Sequence, residues 1–104
     1  MATDDESLRA LWGAAVAAYV GRGARKIPTA DEAALFAVAP DRFDQLLPLV
    51  KQALLASDSI RLEGVPRHNA KDAVTHRLRE LLPDLDDRGI DALAWRWGFI
   101  AFHG

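Results

Sequence analysis

The chain's 104 residues suit one domain with its own core, and a composition half hydrophobic and 27% charged excludes the profile of a disordered chain. A formal net charge of −2 gives no global pull toward nucleic acid or anionic membrane, and the lack of cysteine excludes disulfides and thiolate metal ligands. The acidic opening 1-MATDDESLRA-10 lacks the basic start of a secretory signal, so the expectation is one helical domain over 1–104 in the cytoplasm, and the Ala- and Arg-rich, Lys-poor composition points to a bacterial source.

In 8-LRALWGAAVAAYV-20 the residues Leu8, Leu11, Trp12, Ala15, Val16 and Tyr19 recur at the spacing of one helix face, and Asp4, Asp5 and Glu6 place negative charge where the helix dipole favours it. The opposite face carries Ala10, Gly13, Ala14, Ala17 and Ala18 instead of charges, so both faces are expected to pack on protein, with small residues admitting another helix closely. The apolar run stops well short of the about 20 residues a bilayer span needs, and no membrane association is expected. Gly21 and Gly23 end the helix.

The stretch 21-GRGARKIP-28 reads as a basic loop, and 29-TADE-32 as a capping box in which Thr29 and Glu32 satisfy each other's backbone donors. A short helix follows through Val38. Pro40 opens a longer one, with Phe43, Leu46, Leu47, Val50 and Leu54 as its apolar stripe and Pro48 as a kink. The pattern then breaks: 59-SIRLEGVPRH-68 reads as a long loop or one short strand around 59–63. Asn69, with Asp72 at the third position, caps a helix whose buried stripe is Ala70, Val74, Leu78, Leu81, Leu82 and Leu85.

The last segment, 94-AWRWGFIAFHG-104, holds four of the eight aromatic residues. From Asp86 or Asp87 onward, Ile90, Leu93, Ala94, Trp97 and Ala101 take helical spacing. Trp95, Trp97 and Phe99 also alternate, as a strand pairing with 59–63 would. The helical reading is the stronger, because its stripe begins earlier and an acidic cap precedes it. The predicted fold is therefore all-α, a compact bundle of about five short helices with at most one short strand pair joining 59–63 to the C-terminus.

Little in the chain points to chemistry. His68, His76 and His103 lack the i, i+4 spacing with which a helix presents two metal ligands. In 84-DLDDRG-89, Asp84, Asp86 and Gly89 match the start of a calcium loop, but Arg88 and Trp95 occupy two ligand places, which leaves helix capping. Ser7, Ser57 and Ser59 have no nucleophile context, and no glycine pattern cradles a phosphate. No enzyme activity, cofactor or metal is expected, and no motif ties the chain to a known family.

Two surfaces remain. Arg67, Lys71, Arg77 and Arg79 would serve a helical DNA-binding regulator, but Asp72 and Glu80 interrupt them and the chain's pI is near 5.8, so nucleic acid is the lesser alternative. Tryptophan and arginine are the residue types richest in binding hot spots. With Trp97 assigned to the core, the expected partner-binding residues are Trp95, Arg96, Phe99 and Phe102. The expected function is a protein–protein interaction module (an adaptor, an immunity-type inhibitor or a self-associating domain) whose partner is another protein or a second copy of the chain.

Overall fold

The helix that is apolar on every face becomes the axis of the structure. In α1 (Ala2–Val20) the side chains of Ala15, Val16, Ala17, Tyr19 and Val20 are all buried, which requires neighbours on all sides. Those neighbours are α2 (Glu32–Val38), α3 (Phe43–Asp58) and α5 (Asp87–His103), while α4 (Ala70–Leu81) packs on α5 from the far side. The computed structural model describes residues 2–103, and side chains over 6–102. Its Cα radius of gyration, 13.6 Å, is close to the roughly 13 Å of a compact chain of this length.

Leu46 and Val50 of α3, Val74 and Leu78 of α4, and Ile90 and Leu93 of α5 are buried as their periodicity predicts, Phe43, Leu47 and Leu54 of the predicted α3 stripe are half-buried, and Leu35 of α2 and Ala53 of α3 join the core. Pro40 leads into α3 through a short 3-10 turn, Pro40–Arg42, and α3 runs on through Pro48, whose ring faces solvent. The predicted all-α bundle of five helices is what forms, and the strand option is not taken up among the described residues. Helix α5 stays helical to His103, so 59–63 has no extended segment to pair with. Ile60 is buried beneath an irregular loop that turns at Gly64, where φ is +75°.

Two caps differ from expectation. Asp31, not Thr29, is the N-cap of α2, its carboxylate accepting from the Ala34 N–H at 3.0 Å. Gly21, at φ +84°, turns the chain back onto the end of α1, where the Thr29 hydroxyl donates to the Tyr19 carbonyl at 2.9 Å. Thr29 thus satisfies an orphan carbonyl of the preceding helix rather than a donor of the next one. Asn69 does precede α4, but its side chain makes no capping bond. The 3-10 turn Arg67–Asn69 already gives Asn69 near-helical dihedrals, whereas a side-chain N-cap needs an extended backbone.

Where α1 crosses α5 the helices meet through glycine. A Cβ on Gly89 would lie 3.0 Å from the Gly13 Cα, and a Cβ on Gly13 would overlap the Asp86 carboxylate. That carboxylate accepts from the Gly89 N–H at 3.0 Å, so the Asp86 cap of α5 occupies the space Gly13 leaves open.

Candidate functional site

Helix α5 changes character along its length. Ala92, Leu93 and Ala94 are consecutive and all buried, so this turn is enclosed on every side by α1, α3 and α4. One turn later, residues 95–99 are half-buried, and at the end Ile100 is 47% and Phe102 40% exposed. The helix therefore leaves the bundle carrying its aromatic residues with it.

On one face of this emerging segment Asp91, Trp95, Gly98, Phe99 and Phe102 follow one another at helical spacing, and three cations from elsewhere in the chain gather around them. Arg22, just beyond α1, donates to the Asp91 carboxylate at 2.9 Å and lies 5.4 Å from the centre of the Trp95 ring. Lys71, on α4, stands 4.0 Å from the other oxygen of Asp91. Arg67 lies 4.7 Å over the Phe102 ring and has no ion pair among the described residues. Such cation–ring contacts contribute about 0.5–1 kcal/mol when exposed, enough to orient the groups without hiding them.

Between α4 and α5 these residues line a trough of about 340 Å³, bordered by Arg67, Lys71 and Val74 on one side and by Trp95, Phe99 and Phe102 on the other. Gly98 opens into it: a Cβ there would meet nothing within 4 Å. A second hollow of about 370 Å³ lies between α5 and the 59–66 loop and shares Ala70, Trp97 and Phe102 with the first. The two lie on either side of the Phe102 ridge, where Trp97 meets Phe102 edge to face at 6.3 Å between ring centres.

Of the residues the sequence singled out, Trp95, Phe99 and Phe102 come together here with Arg67 and Lys71 from the basic set. Arg96 does not. It turns toward Asp58 at the end of α3 and binds it at 2.6 Å, with only 16% of its side chain exposed, so it fastens α5 to the bundle. Arg77 and Arg79 also leave the group, Arg77 lying 3.6 Å from Glu80 and Arg79 2.7 Å from Asp87. Trp97 is only half-buried, its indole N–H reaching the Ile60 carbonyl at 3.4 Å, and Ala101 of the predicted core stripe is exposed. Beyond Ile90, Leu93 and Ala94 the stripe is covered only in part, at Trp97.

Three contributors escaped the sequence reading: Asp91, Arg22 and Gly98. Arg22 was one of three basic loop residues with nothing to separate it from Arg25 and Lys26. Gly98 carries a readable signal: a glycine inside an otherwise helical pattern sacrifices about 1 kcal/mol relative to alanine and calls for a reason.

Among the described residues no group of histidine and carboxylate side chains could hold a metal ion, and no helix is long and apolar enough to cross a membrane. No family model, curated protein or solved structure matches the chain.

Proposed function

We propose that the chain is a protein–protein interaction module that docks its partner on the C-terminal half of α5, with Trp95, Phe99 and Phe102 as anchors. The observation that carries this reading is the paired hollow around Phe102, where the rings of Trp95 and Phe99 are half-buried and Phe102 stays 40% exposed. A small ligand fills one enclosed pocket, whereas two shallow hollows sharing a ridge suit an extended macromolecular surface. Rings at the centre with cations around them match the anatomy of an interface, in which apolar anchors are surrounded by a polar rim. The lack of cysteine and the Ala- and Arg-rich composition support a reducing bacterial cytoplasm as the setting, and an adaptor, an immunity-type inhibitor or a self-associating domain all fit the surface.

The nucleic-acid reading draws support from Arg67 and Lys71 beside half-buried and exposed aromatic rings on which bases could stack, a combination that single strands use. It is the lesser reading, because Arg77 and Arg79 are engaged with carboxylates elsewhere and Arg22 and Lys71 share Asp91. A photo-crosslinking residue placed at Phe102, with exposed Leu55 as the control position, tests the choice in the source cell. A discrete protein adduct from position 102 alone supports docking on α5. A nucleic-acid adduct, or equal labelling from both positions, overturns it.

A further inference from the structure

Six glycines are described, and for five of them the backbone or the packing accounts for the missing side chain. Gly13 and Gly89 form the α1–α5 crossing, and Gly21, Gly23 and Gly64 have positive φ. Gly98 has neither reason. It sits inside a helix at ordinary dihedrals with open space where its Cβ would be, so alanine would fit and would favour the helix. What its absent side chain provides is depth in the trough, at the point midway between Trp95 and Phe102.

From this we infer that the trough between α4 and α5 receives an acidic amphipathic helix of a protein partner, lying over Gly98; the inference rests on the reading of α5 as a docking surface. Three features choose this occupant. The walls are two helices side by side, α4 presenting Lys71 and Val74, with Arg67 from the 3-10 turn before it, and α5 presenting Trp95, Phe99 and Phe102, which is the form of a groove that takes a third helix. No strand exists among the described residues to offer an edge for an extended peptide. Around the trough stand three cations, Arg22, Arg67 and Lys71, against the single carboxylate Asp91, so the charge that completes it is negative. An occupant with a small residue facing Gly98 brings the two helices close, its apolar neighbours seat on Trp95 and Phe102, and its carboxylates reach Arg67 and Lys71.

The test is a selection of displayed random peptides of about 15 residues, near the length at which an isolated helix becomes viable, on the whole protein. Binding of the selected peptides is then measured to wild type, to Gly98→Leu and to Arg67→Glu/Lys71→Glu. Leucine at 98 enters open space on a helix and keeps the fold, as matched thermal melts will verify. The expected result is enrichment of peptides with acidic residues beside apolar ones at helical spacing, whose affinity falls roughly tenfold or more in either variant and weakens with salt. Neutral or basic peptides that still lose binding in Gly98→Leu overturn the acidic occupant and leave docking on α5 standing. Concentration-dependent self-association abolished by Gly98→Leu likewise replaces the occupant with a second copy of the chain. Oligothymidylate binding in the trough, or selected peptides indifferent to Gly98→Leu, or no enrichment at all, overturns both.

Discussion

The two halves of α5 carry the same kind of residue to opposite ends. In the first half Gly89 lies against Gly13, and Ala92, Leu93 and Ala94 are enclosed, so small side chains bring helices together and large ones fill the space between them. In the second half Gly98 faces open space, Trp95 and Phe99 are only half-buried, and Phe102 is 40% exposed. The contrast teaches that neither glycine nor tryptophan announces its use by type. What separates the halves is whether α1, α3 and α4 extend far enough to enclose them.

That contrast requires substitutions in the first half to cost stability and substitutions in the second to fall mainly on binding. The largest effect is expected at Leu93, which is fully buried where α5 is enclosed. Leu93→Ala should destabilise the fold by about 2–5 kcal/mol, and urea unfolding will measure it. A loss under about 1 kcal/mol would mean that the first half is no better packed than the second.

Trp97 lies at the boundary, packed against the core yet half-exposed, and its expected cost is intermediate. Trp97→Ala should lose about 2 kcal/mol, below the roughly 3–5 kcal/mol of a fully buried ring, because part of its surface is already in water. A cost at the top of that range would move the boundary between the halves one turn further along α5.

Gly13→Ala should destabilise by about 1–3 kcal/mol, since the new methyl overlaps the Asp86 carboxylate and forces it from the α5 cap. The same methyl should cost much less in an Asp86→Ala background, where the carboxylate is already gone. A double-mutant cycle by thermal unfolding will show this coupling, and strictly additive losses would remove Asp86 as the reason for Gly13.

How far all this was readable follows from what periodicity encodes. The spacing of Leu46, Val50, Val74, Leu78, Ile90 and Leu93 reports which face of each helix is apolar, and every one of these residues is buried. The all-round apolar character of α1 likewise signalled a central helix. Periodicity is silent on what lies opposite a face. Arg22 reaches Asp91 across 69 positions of sequence, and Arg96 reaches Asp58 across 38, pairings set by how helices stack rather than by any local pattern. For the same reason Trp95 and Arg96, adjacent in sequence and about 100° apart around the helix, meet different neighbours, Arg22 and Asp58, and serve different ends. The cap at Thr29 was misassigned because the competing acceptor, the Tyr19 carbonyl, belongs to another helix.

The smallest expected effect has the opposite sign and bears most directly on the comparison. Gly98→Ala adds a methyl to a helical position with nothing within 4 Å, so it should stabilise the protein by about 0.5–1 kcal/mol through helix propensity and a less disordered unfolded state. For a domain of this size that raises the melting temperature by roughly 4–8 °C per kcal/mol, well within reach of calorimetry. The same methyl makes the trough shallower at its midpoint, so any ligand whose backbone passes over Gly98 should bind the more stable protein less well. A gain in stability together with a loss in binding would show that glycine holds position 98 for its occupant. Gly89→Ala should behave in the reverse way, because its methyl overlaps the Leu85 side chain and meets the Gly13 backbone, forcing both to shift. If Gly98→Ala proves destabilising instead, the space beside Gly98 is filled in the folded chain, and the two halves of α5 are not the different surfaces that their glycines imply.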